Sequence, residues 1–112
     1  MIGKENAEHY TWGGVCDGWH LVKSETLSVI HERMPAGASE VRHYHRASQQ
    51  FFFVLRGVAT LEINGQRERL GAHQGAYVPP NVSHQMFNDS LDEIEFLVIS
   101  QPPSHGDRVV TQ

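Results

Sequence analysis

Cysteine is almost missing from this chain: Cys16 stands alone, which excludes an intrachain disulfide and suits a reducing compartment such as the cytoplasm. Long apolar runs are missing as well. The longest, Phe51 to Leu55, is far too short to cross a bilayer as a helix, so no membrane association is expected. The opening residues, Met1 to Asn6, contain no apolar core, so no signal peptide is expected there. Positive charge is scarce and scattered, with nine Lys and Arg against thirteen Asp and Glu. No basic stripe tracks a phosphate backbone, and nucleic acid is excluded as a partner on that ground. Nowhere do apolar residues keep helical spacing for three turns, which argues against long helices. No repeat, low-complexity tract or charged tail divides the 112 residues, so one domain over 1–112 is expected. A domain of this size buries only about two-thirds of its unfolded surface and gains from a partner chain, so a homodimer is expected.

What the sequence does have is a series of short β-type segments between turn residues. Strands are expected at Leu27–Met34, Val41–His45, Gln50–Leu55, Ala59–Ile63, Gln66–Leu70, Ala76–Val78, Met86–Phe87 and Ile94–Ile99. The sharpest local signal is Asn64-Gly65, a pair that accepts positive φ at both central positions of a two-residue hairpin turn. That turn sets Ile63 opposite Gln66 and Glu62 opposite Arg67. Many short strands at near-regular spacing argue a sandwich or barrel. The stretch from Glu8 to Lys23 is harder to assign. Its Tyr10, Trp12 and Trp19 need a surface to pack on, so residues 1–26 are expected to cover one barrel end or a partner subunit.

Eight histidines are many for so short a chain, and their spacing carries more information than their number. His43 and His45 lie two apart on an expected strand and therefore share a face. If that face is internal, two imidazoles enter a closed space where unpaired polar groups are costly, and a metal ion is one partner that satisfies them. A four-residue loop between antiparallel strands would bring Gln50 back beside them, and His84 follows a Pro-Pro turn much later.

These residues resemble the cupin superfamily. Gly37, His43, His45, Gln50 and Gly57 fall at the spacing of its first motif; Pro79, His84 and Asn88 fall at the spacing of its second. The motifs together occupy residues 37–88. In compactness the chain is most similar to small bacterial cupins grouped with mannose-6-phosphate isomerase. The resemblance implies an all-β, cupin-type jelly-roll barrel with little helix. It also implies one divalent first-row metal ion (zinc, iron, manganese, nickel or copper) on His43, His45 and His84, with Gln50 either a fourth ligand or a hydrogen-bond partner of a bound water or histidine. The chain departs from the pattern in three places. Gln50 replaces the usual glutamate, His73-Gln74 replaces Gly-Asp, and Asn81 replaces a glycine whose left-handed conformation asparagine also tolerates.

Alternation along the strands puts Phe52 on the face of Gln50 and Met86 on the face of His84, so both are expected to line the pocket, while Phe51 and Phe53 face outward. Asn88 is expected to hydrogen-bond within the barrel. His9, His20, His31, His73 and His105 fit neither motif and are read as surface or structural residues; the segment around His105 reads as an ordinary tail. Cys16 reads as a packed small residue. Arg42, Arg46 and Arg56 are the cations nearest the motif, and an arginine facing the mouth would favour a phosphorylated or carboxylated substrate. Neither motif holds an obvious carboxylate base, and the side of the strand that Glu40 faces is open. Three functions remain: an enzyme acting on a small oxygen-rich substrate (sugar-like, carboxylate or hydroxy-carbonyl), with a metal-dependent dioxygenase as a variant; a non-catalytic ligand-binding or sensing domain; and an interaction protein with a structural metal.

Overall fold

Positive φ at Gly13 and Gly14 turns the chain back on itself and makes a hairpin of β1 (Glu8–Trp12) and β2 (Cys16–Lys23). The computed structural model describes residues 1–111. Nine further strands follow: β3 (Ser28–Met34), β4 (His43–His45), β5 (Gln49–Arg56), β6 (Ala59–Ile63), β7 (Gln66–Leu70), β8 (Gly75–Val78), β9 (His84–Phe87), β10 (Ile94–Gln101) and β11 (Arg108–Val110). No helix occurs among the described residues, and so none is long and apolar enough to cross a membrane.

The strands form two antiparallel sheets, one of six strands in the order β1-β2-β3-β10-β5-β8 and one of five in the order β11-β4-β9-β6-β7. The fold is the expected all-β jelly roll. β4, β5, β9 and β10 alternate between an inner, buried side chain and an outer one, as a half-buried sheet requires. In β5, Gln50, Phe52 and Val54 are buried, while Phe51 is exposed and Phe53 partly so. Met34, Val54, Leu61, Met86, Ile94 and Phe96 pack between the sheets. The Asn64-Gly65 turn has positive φ at both residues, 51° and 83°, and sets Glu62 against Arg67 and Ile63 against Gln66.

Two expectations are corrected, and one open assignment is filled in. Val41–His45 and Gln50–Leu55 are not partners in one hairpin. β4 lies in the five-stranded sheet and β5 in the six-stranded one, so the four-residue loop crosses between sheets. The Asp107 carboxylate fixes this crossing by accepting the backbone N–H groups of Arg46, Ala47 and Ser48 at 3.0, 2.9 and 2.9 Å. The segment after Pro103 is no tail: β11 pairs with β4, with Arg108 opposite His45. The N-terminal segment is a hairpin that extends the six-stranded sheet through β2–β3 pairing.

Candidate metal centre and its cavity

Two strands of one sheet carry the three motif histidines. His43 and His45 sit on the inner face of β4, and His84 opens β9 directly opposite His43. All three are buried, at 5, 5 and 1% exposure. Their ring centroids lie 4.5 to 5.6 Å apart, and each offers a ligand atom within 4.8 Å of the others.

The main chain sets their protonation. His43 Nδ1 donates to the Val41 carbonyl at 2.7 Å, His84 Nδ1 to the Val82 carbonyl at 3.0 Å, and His45 Nδ1 to the Asp107 carbonyl at 3.2 Å. With Nδ1 carrying the proton, each Nε2 keeps its lone pair for another partner. Burial drives His43 down to about 3 and His84 to about 4, against the smaller raising effect of those same carbonyls, and lowers His45 as well. The three rings are therefore neutral at ordinary pH, the form in which imidazole binds a metal.

Gln50 comes from the opposite sheet and lines the same cavity as His43 and His45. Its amide nitrogen donates to Ser100 Oγ at 3.0 Å, which turns the carbonyl oxygen away from Ser100. That oxygen, Gln50 Oε1, and His84 Nε2 are both buried without a hydrogen-bond partner. Buried polar atoms without partners are rare and costly. A cation bound by imidazole nitrogens and an amide oxygen would satisfy both, so the donor set fits the first-row divalent ion that the sequence implies.

His43 and His45 open onto a cavity of about 590 Å³, within the range of small-molecule sites, with His84 buried behind them. Phe52 lines it as expected and stands edge-on to His84 at 5.7 Å. Met86 does not: it is fully buried in the core. Its side-chain face was read correctly, but the core closes over that face before it reaches the cavity. Asn88 ties strands together by donating to the Met34 and Asp92 carbonyls at 3.0 and 2.8 Å. Cys16 is packed in the core.

Two acids line the cavity that the motifs did not reveal, Glu32 and Glu40. Burial raises each to about 8; Glu40 raises Glu32 further, and Arg108 opposes both shifts. Glu40 lies 3.3 Å from His43 Nδ1 and accepts the Met86 N–H at 3.2 Å. Glu32 sits on the inner face of β3 opposite Gly18, and Gly18 in turn faces Tyr10. A Cβ on Gly18 would stand 2.3 Å from the Tyr10 ring, so only glycine lets the ring lie across the sheet into the cavity. Burial, and then Glu32, raise the Tyr10 phenol. The alternation of Ile30, Glu32 and Met34 on one face of β3 was the signal that could have found Glu32.

The arginines singled out by sequence are placed elsewhere. Arg42 pairs with Glu62 at 3.6 Å, Arg56 with Glu93 and Glu95 at 3.7 and 3.6 Å, and Arg46 is exposed outside the cavity. The cavity's cations are instead Lys23 and Arg108. Of the five histidines read as surface or structural, His20 and His105 also line the cavity, while His9, His31 and His73 do not.

Comparison with known proteins matches this geometry. The family described as a cupin domain matches residues 30–100. An uncharacterized protein of Methanocaldococcus jannaschii is 22% identical over 94 residues, covering 83% of this chain and 75% of the relative. Oxidoreductase macE of Penicillium terrestre is 26% identical over 97 residues; the match takes in 83% of this chain but only 37% of that protein. Among solved structures, KdgF from Halomonas sp. superposes with a TM-score of 0.83 at 16% identity, over 92% of this chain and 93% of that one. A sugar phosphate isomerase of the cupin superfamily from Silicibacter pomeroyi gives 0.80 at 19% identity, over 92% and 76%. At these identities the structural likeness speaks for the fold alone.

Proposed function

The chain belongs to the cupin domain family, and from that premise we propose that it is a metal-dependent enzyme acting on a small oxygen-rich molecule, sugar-like, carboxylate or hydroxy-carbonyl. His43, His45 and His84 would hold one divalent first-row ion, with Gln50 Oε1 as a fourth donor. The observation that carries this reading is the pair of partnerless buried atoms, His84 Nε2 and Gln50 Oε1, beside two further imidazoles whose Nδ1 atoms are spoken for. When bound, such an ion supplies Lewis acidity toward a substrate oxygen.

The protein's own residues supply the rest. Glu32 and Glu40 line the cavity, and burial pushes each up to about 8, so either can hold a proton at neutral pH and give it up. Phe52, Ile30 and Val98 give the cavity apolar walls that exclude water. These two acids favour catalysis over mere ligand capture, because a storage site needs no group poised to exchange protons. Two relatives named as oxidoreductases, macE and a probable oxidoreductase of Aspergillus niger, support a dioxygenase variant of the same reading. The mannose-6-phosphate isomerase grouping describes a fold type and carries no activity to this chain. The proposed setting is the cytoplasm, without membrane or nucleic acid partners.

Elemental analysis of protein purified without added metal tests the proposal. One equivalent of a first-row metal is expected, and iron or copper would select the oxygen-dependent variant. The double substitution His43→Ala/His45→Ala should abolish binding while far-UV circular dichroism stays β-type. Full metal occupancy in that variant would refute the assignment.

A further inference from the structure

Seven of the nine lysines and arginines are ion-paired: Lys4, Lys23, Arg33, Arg42, Arg56, Arg67 and Arg69 each lie within 4.0 Å of a carboxylate. Among the described residues the two without such a partner are Arg46, on the outer surface, and Arg108. Arg108 differs from Arg46 in where it stands. It lines the cavity, opposite His45 in the β11–β4 register and so on the same face of the sheet as that ring. Among the described residues its guanidinium makes one hydrogen bond, a long one of 3.5 Å from Nη2 to the Val41 carbonyl. The other edge of the guanidinium fork is unused. Yet its field reaches Glu32, Glu40, His43, His45 and His84, all of which respond to it.

From this placement we propose that Arg108 is the substrate anchor of the cavity and that it holds a carboxylate group of the ligand, whose other oxygen-bearing end faces His43, His45 and His84. This rests on the metal reading of the three histidines. A planar guanidinium presents paired N–H donors that match a carboxylate's two oxygens, which a lysine at the same place would not do. Were Arg108 there to neutralise the cavity's acids, a carboxylate would lie within ion-pair distance, and among the described residues none does. As the two glutamates ionise above about pH 8, a singly charged carboxylate meets less repulsion from them than a doubly charged phosphate would. A ligand with an acid group at one end and a carbonyl or hydroxyl at the other satisfies both halves of the cavity.

The test uses levulinate, a keto acid, with its neutral amide and inorganic phosphate as comparison probes. Binding is followed by NMR line broadening and shift changes on zinc-loaded and on chelator-treated protein, for wild type, Arg108→Gln and Arg108→Lys. Wild type should prefer levulinate to the amide and to phosphate. Arg108→Gln should weaken levulinate about tenfold or more, as expected for losing hydrogen bonds to a charged group, and leave the amide unchanged. Arg108→Lys should recover part of the loss. Zinc affinity, read by chelator competition, should not move in either variant. Equal levulinate binding by wild type and Arg108→Gln overturns the anchor; phosphate binding tighter than levulinate in wild type overturns the carboxylate assignment. The chelator-treated arm separates the two readings. An Arg108-dependent preference for levulinate in protein that takes up no zinc when it is supplied keeps the anchor and removes the metal; zinc uptake with no such preference does the reverse.

Discussion

Gln50 is held at one end and free at the other. Its amide nitrogen is committed to Ser100, and its oxygen is buried without a partner. A neutral amide oxygen is a weak donor to a first-row ion, so three imidazoles and one amide would leave a bound divalent ion its full double positive charge. That charge welcomes an anionic ligand and costs metal retention. Gln50→Glu should therefore hold metal more tightly, on the order of tenfold, and an anionic ligand less well. Ser100 can accommodate the change by rotating its hydroxyl to donate where it now accepts. Chelator competition at one pH decides the matter: if the variant retains metal no better than wild type, Gln50 lies outside the ligand set. The residues that make up this centre were legible from the sequence because ligand spacing is a local property of strands and turns. The acids were not. Glu32 and Glu40 owe their place in the cavity to strands β2, β9 and β10 packing around them; alternation sets Glu32 on one face with Ile30 and Met34, but neither motif points to it and only the packing makes that face a cavity wall.

At the scale of elements, the hairpin β1–β2 shows how a glycine shapes the site. Gly18 faces both Tyr10 and Glu32 across the sheet, and the Tyr10 ring fills the room where its side chain would be. Gly18→Ala should push the ring out of the cavity and destabilise the fold by about 1–3 kcal/mol, the usual cost of overpacking. The double mutant Tyr10→Ala/Gly18→Ala should recover most of that loss relative to Tyr10→Ala alone, because the clash is pairwise. Equal costs of Gly18→Ala in both backgrounds, measured by thermal unfolding, would place the glycine's role elsewhere. Elements differed in how plainly the sequence announced them. β6 and β7 carry a turn whose residue types admit little else, and their expected ends, Ala59–Ile63 and Gln66–Leu70, match the structure. β11 is three residues long, follows a polar segment and depends on β4 for its pairing, so nothing local marked it. The loop between β4 and β5 misled for a related reason. Its length suits a hairpin, but its backbone N–H groups are claimed by Asp107, some sixty residues away in sequence.

The whole molecule balances two opposed sets of titrations. His43, His45 and His84 have folded values below their ordinary one, so the unfolded chain binds more protons as pH falls below about 6.5. Metal-free protein should therefore lose stability as the solution is acidified through that range. Glu32 and Glu40 have folded values near 8, above their ordinary 4.5, so between these limits the folded state binds more protons. Their contribution is full at low pH and is lost as pH rises through about 8. Urea unfolding of chelator-treated protein should accordingly show greatest stability near neutral pH, falling on both sides. A midpoint that rises steadily from pH 5 to pH 9 would contradict the placement of the two acids.

The outer face of the six-stranded sheet bears on assembly. Cross-strand neighbours Tyr77, Phe51, Ile99, Val29 and Val22 run in one apolar row over five strands, and Phe53, Leu97, His31 and Trp19 make a second row beside it. Tyr77 is 53% exposed, Val22 39% and Phe51 38%, more apolar surface than a scatter of single residues explains. A twofold axis through such a face buries it against its own copy, since an isologous contact needs only one self-complementary patch. We propose a homodimer formed through this sheet, with the outward phenylalanines at its centre. The N-terminal segment contributes its outer residues Trp19 and Val22, while its Tyr10 and Trp12 face the cavity of their own chain. Phe51→Glu combined with Tyr77→Glu places four like charges at the centre of the twofold contact and should give a monomer by light scattering at micromolar concentration. Because both positions point away from the histidines, metal binding should survive the change. A wild-type monomer, or a dimer that persists in the double variant, would move the interface away from this face.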